Sequence, residues 1–154
     1  MARSLEHRGP DDEGFNRDAS ISLGQTRLSI IDLETGLYPI SNEDDTLVLI
    51  CNGEIYNSPE LRKSLISRGH RFRTRTDVEV ILHLYEEHGD NCVKQLRGMF
   101  AFALWDIPKQ RLLLARDQMG QKPLFFVKGH DRLFFASEVK ALLDTGLIKA
   151  EMEL

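Results

Sequence analysis

The clearest pattern in the chain is a run of seven apolar residues at 99–105, Met-Phe-Ala-Phe-Ala-Leu-Trp, with a period of two. Alternate side chains of a strand point to opposite faces, so Phe100, Phe102 and Leu104 share one face and Met99, Ala101, Ala103 and Trp105 the other. Neither face is polar, which predicts a strand covered on both sides. Residues 46–52, Thr-Leu-Val-Leu-Ile-Cys-Asn, form a second apolar run that ends on Asn52-Gly53, a dipeptide typical of a tight turn. Further strands are predicted within 21–31, at 72–76, and as two hairpins at 99–116 and 124–136. Helical spacing takes over at Leu61, Leu65 and Ile66, introduced by Ser58-Pro59-Glu60 as cap, first-turn proline and first-turn acid, and stopped by Gly69. It returns at Val78, Ile81, Leu82 and Tyr85, with Thr76-Asp77 as a cap and Gly89 as the stop, and again at 139–143 behind Ser137-Glu138. The opening stretch 6–14 is rich in Gly, Pro and acids and reads as turns. Strands, two helices, four strands and a helix, with antiparallel hairpins, predict an α+β sandwich: stacked sheets with helices outside.

Composition narrows the class. The 154 residues make a single domain, 1–154, with no linker or repeat, and 20 Lys+Arg against 24 Asp+Glu give a net charge of −4. That balance offers no basic stripe for nucleic acid, and no apolar run approaches the ~20 residues needed to cross a bilayer. Two cysteines are too few for a disulfide framework, and the first residues lack the apolar region of a secretory leader. The expectation is a cytoplasmic domain with no nucleic-acid or membrane partner.

Candidate chemistry is sparse. His83 and His88 are five residues apart on a helix and turn away from each other, and no zinc or phosphate-loop motif occurs, so no metal is expected. The alternation of Arg71, Arg73 and Arg75 with Phe72 and Thr74 reads as the solvated face of an edge strand. Asn52-Gly53-Glu54 is more pointed. A side-chain amide and a glycine N–H at a strand end can converge on a developing oxyanion, although an ordinary Asn-Gly turn accounts for the same residues. Cys51 lies inside an apolar strand and reads as an inert core thiol. Asp77 reads locally as a helix cap, and Arg27, set among apolar residues, calls for a carboxylate partner.

Taken in order, His7-Arg-Gly-Pro-Asp-Asp-Glu-Gly14, Arg27-Leu-Ser-Ile-Ile-Asp32, Asn52-Gly-Glu-Ile-Tyr-Asn57, Thr76-Asp-Val-Glu79, the 98–106 strand, Ala115-Arg-Asp117, Lys122-Pro-Leu124 and Ala136-Ser-Glu138 resemble the class II glutamine amidotransferase domain of asparagine synthetases. The resemblance implies a four-layer α+β sandwich of the N-terminal-nucleophile type and hydrolysis of L-glutamine to glutamate and ammonia. It assigns the substrate α-carboxylate to Arg27 and the α-ammonium to Asp77. Asn52 and Gly53 become the oxyanion hole, and Glu54, Ile30 and Ile31 the pocket wall. ATP and Mg would serve a separate synthetase domain that consumes the ammonia, with no cofactor in this one.

The family's nucleophile is a cysteine at the mature N-terminus. This chain reads Met1-Ala2-Arg3-Ser4 and enters the family pattern at His7, so the expectation is a domain incomplete at its N-terminus and inactive alone. Two alternatives stand beside it. One is a non-catalytic remnant prone to self-association, and the other a glutamine-binding or interaction module.

Overall fold

A computed structural model of the chain describes residues 1–9, 12–27 and 39–148, with Asp12 and Arg27 followed as backbone only. The strand predicted at 99–105 is the centre of the molecule. It is β5 (Gly98–Asp106) in a four-stranded antiparallel sheet ordered β3 (Ile40–Ser41), β4 (Leu47–Ile55), β5, β6 (Arg111–Arg116). Both faces of β5 are covered, as its apolar pattern requires. Phe100, Phe102 and Leu104 join Leu47, Leu49, Cys51 and Ile55 of β4 against helices α1 (Ser58–Ser67) and α2 (Val80–His88). Ala103 and Trp105 turn the other way and pack with Val48 of β4 and Leu23 of β2.

The second sheet layer consists of two hairpins, β1 (Asp12–Arg17) with β2 (Ser22–Arg27), and β7 (Phe125–Lys128) with β8 (Leu133–Ala136). Period two organises β8 as well: Phe135 packs towards the four-stranded sheet, while Phe134 packs outward with α3 (Val139–Leu143) and Leu5 of the 3-10 segment Ala2–Arg8. The layers run helix, sheet, sheet, helix, which is the sandwich expected from the sequence. Polar ties hold the layers together. The Trp105 indole N–H donates to Asp18 Oδ2 at 2.8 Å, and the Gln25 side-chain amide pairs with the main chain of Cys51, donating to its carbonyl at 2.8 Å and accepting from its N–H at 3.1 Å.

Four expectations need correcting. The 6–14 stretch is not all turn, because Ala2–Arg8 is 3-10 and β1 begins at Asp12. Asn52-Gly53 is no turn: β4 runs on to Ile55, since Gly53 pairs with Phe100 across the ladder. Residues 72–76 form no strand, because the N–H groups of Arg73 and Thr74 go to the Glu79 carboxylate instead of to a neighbouring strand. The predicted caps also differ. Asn57, not Ser58, precedes α1, and its amide bridges Gln95 and Arg97; Glu138 keeps the expected cap position before α3, but its carboxylate binds His7 and Arg8 rather than the helix.

Just past β6, buried Asp117 collects four main-chain N–H groups, from Phe100 (3.3 Å), Met119 (3.1 Å), Gln121 (2.9 Å) and Lys122 (3.0 Å). Burial pushes its carboxyl up, but these donors outweigh burial and hold it below the usual range. A depressed folded pKa contributes stability above the unfolded value of about 3.9, and that contribution is lost as pH falls through the folded value. Asp117→Asn is therefore expected to cost about 1–3 kcal/mol in urea melts at neutral pH. The gap from the parent protein should close as the pH is lowered below the carboxylate range; a gap that stayed constant would contradict this account.

Candidate functional site

The two sheet layers part around the C-terminal half of β4, where they enclose a cavity of about 670 Å³, within the ~300–1,000 Å³ range of small-ligand sites. One wall is β4. Leu49, Cys51 and Ile55 belong to the helix-side core, so the alternating Asn52 and Glu54 side chains fall on the cavity side. The sequence can continue as strand here because of Gly53. Its φ is +156°, and a Cβ at this position would stand 2.1 Å from the Met99 carbonyl oxygen and 2.6 Å from Phe100 Cα. Gly98 answers it from β5, where a Cβ would meet the Glu54 carbonyl at 2.1 Å. Two glycines thus let the main chains of β4 and β5 close up beside the cavity.

Asp77 enters the same cavity from the 3-10 turn Asp77–Glu79. Its local reading as a cap is not met: Thr76 holds the cap position without a side-chain bond, and Asp77 Oδ2 accepts from the Ile55 N–H at 2.5 Å. That bond fastens the turn to the end of β4. Behind Asp77 stands Glu79, with no exposed surface, which accepts from Arg73 N–H (2.6 Å), Thr74 N–H (2.8 Å) and Thr74 Oγ1 (2.6 Å).

Of the residues expected at a site, Asn52, Gly53, Glu54 and Asp77 are brought together on one cavity. Arg27 ends β2, whose Gln25 and Thr26 line the opposite wall, but its side chain is outside the described residues, as are Ile30 and Ile31. Three lining residues were not singled out from sequence. Arg8 and Lys122 add positive charge to a cavity that also holds Glu54 and Asp77, and Gln25 fixes the Cys51 main chain. Their signal is tertiary, because they lie on three separate elements. Neither cysteine is an activated nucleophile. Burial pushes the Cys51 thiol far up, and the Cys92 thiol up to about 11, whereas reactive thiols are depressed.

Stacked antiparallel sheets between helical layers, opening on a cavity at the end of the central strands, define an N-terminal-nucleophile type of α+β domain. A solved glutamine phosphoribosylpyrophosphate amidotransferase from B. subtilis superposes with a TM-score of 0.66 at 26% identity over 81% of this chain and 29% of that one. A second solved structure, an allosteric regulatory enzyme of purine biosynthesis, gives 0.68 at 24% identity and supports the fold alone. The family model described as a glutamine amidotransferase domain matches residues 1–154, and the chain belongs to that family. Among curated proteins, asparagine synthetase (glutamine-hydrolyzing) 2 of Bacillus subtilis is 47% identical over 142 residues, which are 92% of this chain and 19% of that protein. Asparagine synthetase (glutamine-hydrolyzing) 3 of Arabidopsis thaliana is 47% identical over 145 residues, 94% of this chain and 25% of that protein. The chain thus spans a quarter or less of the length of these two relatives.

Proposed function

We propose that this chain supplies the glutamine-recognising and oxyanion-stabilising part of an amidotransferase that delivers ammonia to a synthetase domain. The observation that carries the reading is the convergence of Asn52, Gly53, Glu54 and Asp77 on one cavity. Hydrolysis of an amide builds negative charge on the carbonyl oxygen, and a fixed side-chain amide with a main-chain N–H on a rigid strand answers that charge. In this reading Asn52 and Gly53 receive the oxygen. Asp77, held by the Ile55 N–H, binds the α-ammonium, and the guanidinium of Arg27 the α-carboxylate, a pairing that orients as well as attracts. A cavity that mixes Arg8 and Lys122 with Glu54 and Asp77 suits a zwitterion better than a simple amide.

The attacking thiolate is not one of the two cysteines present, so the 154 residues by themselves are expected to bind L-glutamine without turning it over. ATP, Mg and the amidated product belong to the synthetase half of the proposal. Calorimetric titration with L-glutamine tests the recognition step. The parent chain should bind saturably. Asp77→Asn keeps an oxygen for the Ile55 N–H but loses the charge, and should bind about 10-fold more weakly or worse, the worth of one charged hydrogen bond. Equal affinity of the two proteins would remove Asp77 from the site, and turnover of glutamine by the purified chain would overturn the assignment of inactivity.

A further inference from the structure

Away from the cavity, on the opposite side of the four-stranded sheet, two histidines and two glutamates from three separate segments face one another. Glu43 comes from the loop between β3 and β4, His70 from the segment after α1, and His83 and Glu86 from one face of α2. One ligand atom of each lies within 4.8 Å of all the others. His83 Nδ1 is 3.0 Å from Glu86 Oε2 and 3.3 Å from Glu43 Oε2, and His70 Nδ1 is 3.2 Å from Glu86 Oε2 and 3.9 Å from Glu43 Oε1. A tetrahedral zinc ion with bonds of about 2.0–2.1 Å holds its ligand atoms about 3.3 Å apart. Three of these four separations, at 3.0, 3.2 and 3.3 Å, match that spacing, and the fourth, from His70 Nδ1 to the other oxygen of Glu43, is longer at 3.9 Å.

The outer contacts point the same way. Each imidazole turns Nδ1 to the cluster and Nε2 to a different carboxylate: His70 to Glu87 at 3.0 Å, and His83 to Glu79 at 3.7 Å. The bond to Glu87 fixes the His70 ring so that its Nδ1 can present a lone pair, as ligating histidines usually require, whereas His83 Nε2 stands near Glu79 without a hydrogen bond. Glu86 is oriented in turn by the Asn42 amide, which donates to its Oε1 at 2.8 Å and leaves Oε2 on the cluster. Among the described residues, Glu43 Oε2 is buried without a hydrogen-bond donor, and His83 has no exposed surface. A buried carboxylate oxygen without a donor is costly, and a cation at the centre would satisfy it.

We propose that Glu43, His70, His83 and Glu86 form a binding site for a divalent first-row transition ion, with zinc the best fit to two imidazoles and two carboxylates. The site departs from the sequence expectation of no metal because its ligands span residues 43 to 86, and no local spacing announces it. Its place gives it a structural role. It clasps the β3–β4 loop to α2, one helical turn beyond Glu79, which holds the segment leading to Asp77. This inference stands independently of the glutamine reading.

The test is zinc titration of the metal-free chain, read by metal content after gel filtration and by melting temperature, with cobalt(II) absorption reporting coordination geometry. One equivalent should be retained, the melting temperature should rise, and cobalt should give a tetrahedral spectrum. Glu43→Gln and His70→Asn change partly exposed side chains and should fold, yet each should weaken affinity at least 100-fold. Glu87→Gln should weaken it about 10–100-fold through the ring of His70, and His130→Asn should leave it unchanged. Failure of the parent chain to retain zinc would overturn the proposal. So would zinc retention that is indifferent to Glu43→Gln and His70→Asn.

Discussion

Gly53→Ala is expected to destabilise the chain by about 3 kcal/mol or more and to destroy the cavity wall with it. The added methyl would point into main chain, at the Met99 carbonyl and Phe100 Cα, so no rotamer change can relieve it. The φ of +156° adds a conformation that L side chains rarely adopt. Relief requires parting β4 from β5, the central pair of the sheet, at the point where Asn52 and Gly53 face the cavity. For a chain of this size such a loss lowers the melting temperature by about 6–12 °C. Gly129→Ala is the control, since its Cβ would meet nothing nearer than 3.4 Å. A Gly53→Ala protein that melts with the parent would contradict the close approach of β4 and β5.

Glu79→Ala should be comparably damaging, at about 3–5 kcal/mol, because it removes the acceptor from buried donors and the partner from a buried histidine. Arg73 and Thr74 would lose their acceptor, and His83, 3.7 Å from Glu79 Oε1, a counter-charge. Burial pushes the Glu79 carboxyl up, but the neighbouring His83 ring and the hydrogen bonds from Thr74 and Arg73 outweigh it and hold the group below its usual range. Burial pushes the His83 ring down, but Glu79 and Glu86 outweigh it and raise the ring above its usual value. The signs are opposite. The glutamate contributes stability above about pH 4.3, lost as pH falls through its folded value, and the histidine contributes below about pH 6.5, lost as pH rises through its raised value. Metal-free protein should therefore gain most from the pair between those limits, and Glu79→Ala should flatten the profile there. An unchanged profile in denaturant melts across that range would count against the coupling.

Much of the layering was legible because its signal is local. The period of two at 99–105 demanded cover on both faces, and the helical spacing at 78–85 demanded an apolar neighbour; the core confirms both. Misreadings occurred where a distant group decides the local structure. Asn52-Gly53 looks like a turn until β5 is placed beside it, when glycine becomes the residue that permits strand pairing. Residues 72–76 carry strand-like alternation, yet a carboxylate of the following turn takes their N–H groups. Asp77 has the look of a cap but spends its oxygen on β4. The amidotransferase motifs named Asn52, Gly53, Glu54 and Asp77, which line one cavity, but not their geometry, while the Glu43–His70–His83–Glu86 cluster has no sequence signature at all.

The central claim is that the Asn52-Gly53 end of β4 receives the side-chain amide of glutamine. Nitrogen-15 NMR of the labelled chain during titration with L-glutamine addresses it most directly. The account predicts saturable shifts of the Gly53 main-chain N–H and the Asn52 side-chain amide, with Gly129 and Gly146 unmoved. Saturable binding that shifts other residues and leaves Asn52 and Gly53 in place would contradict it.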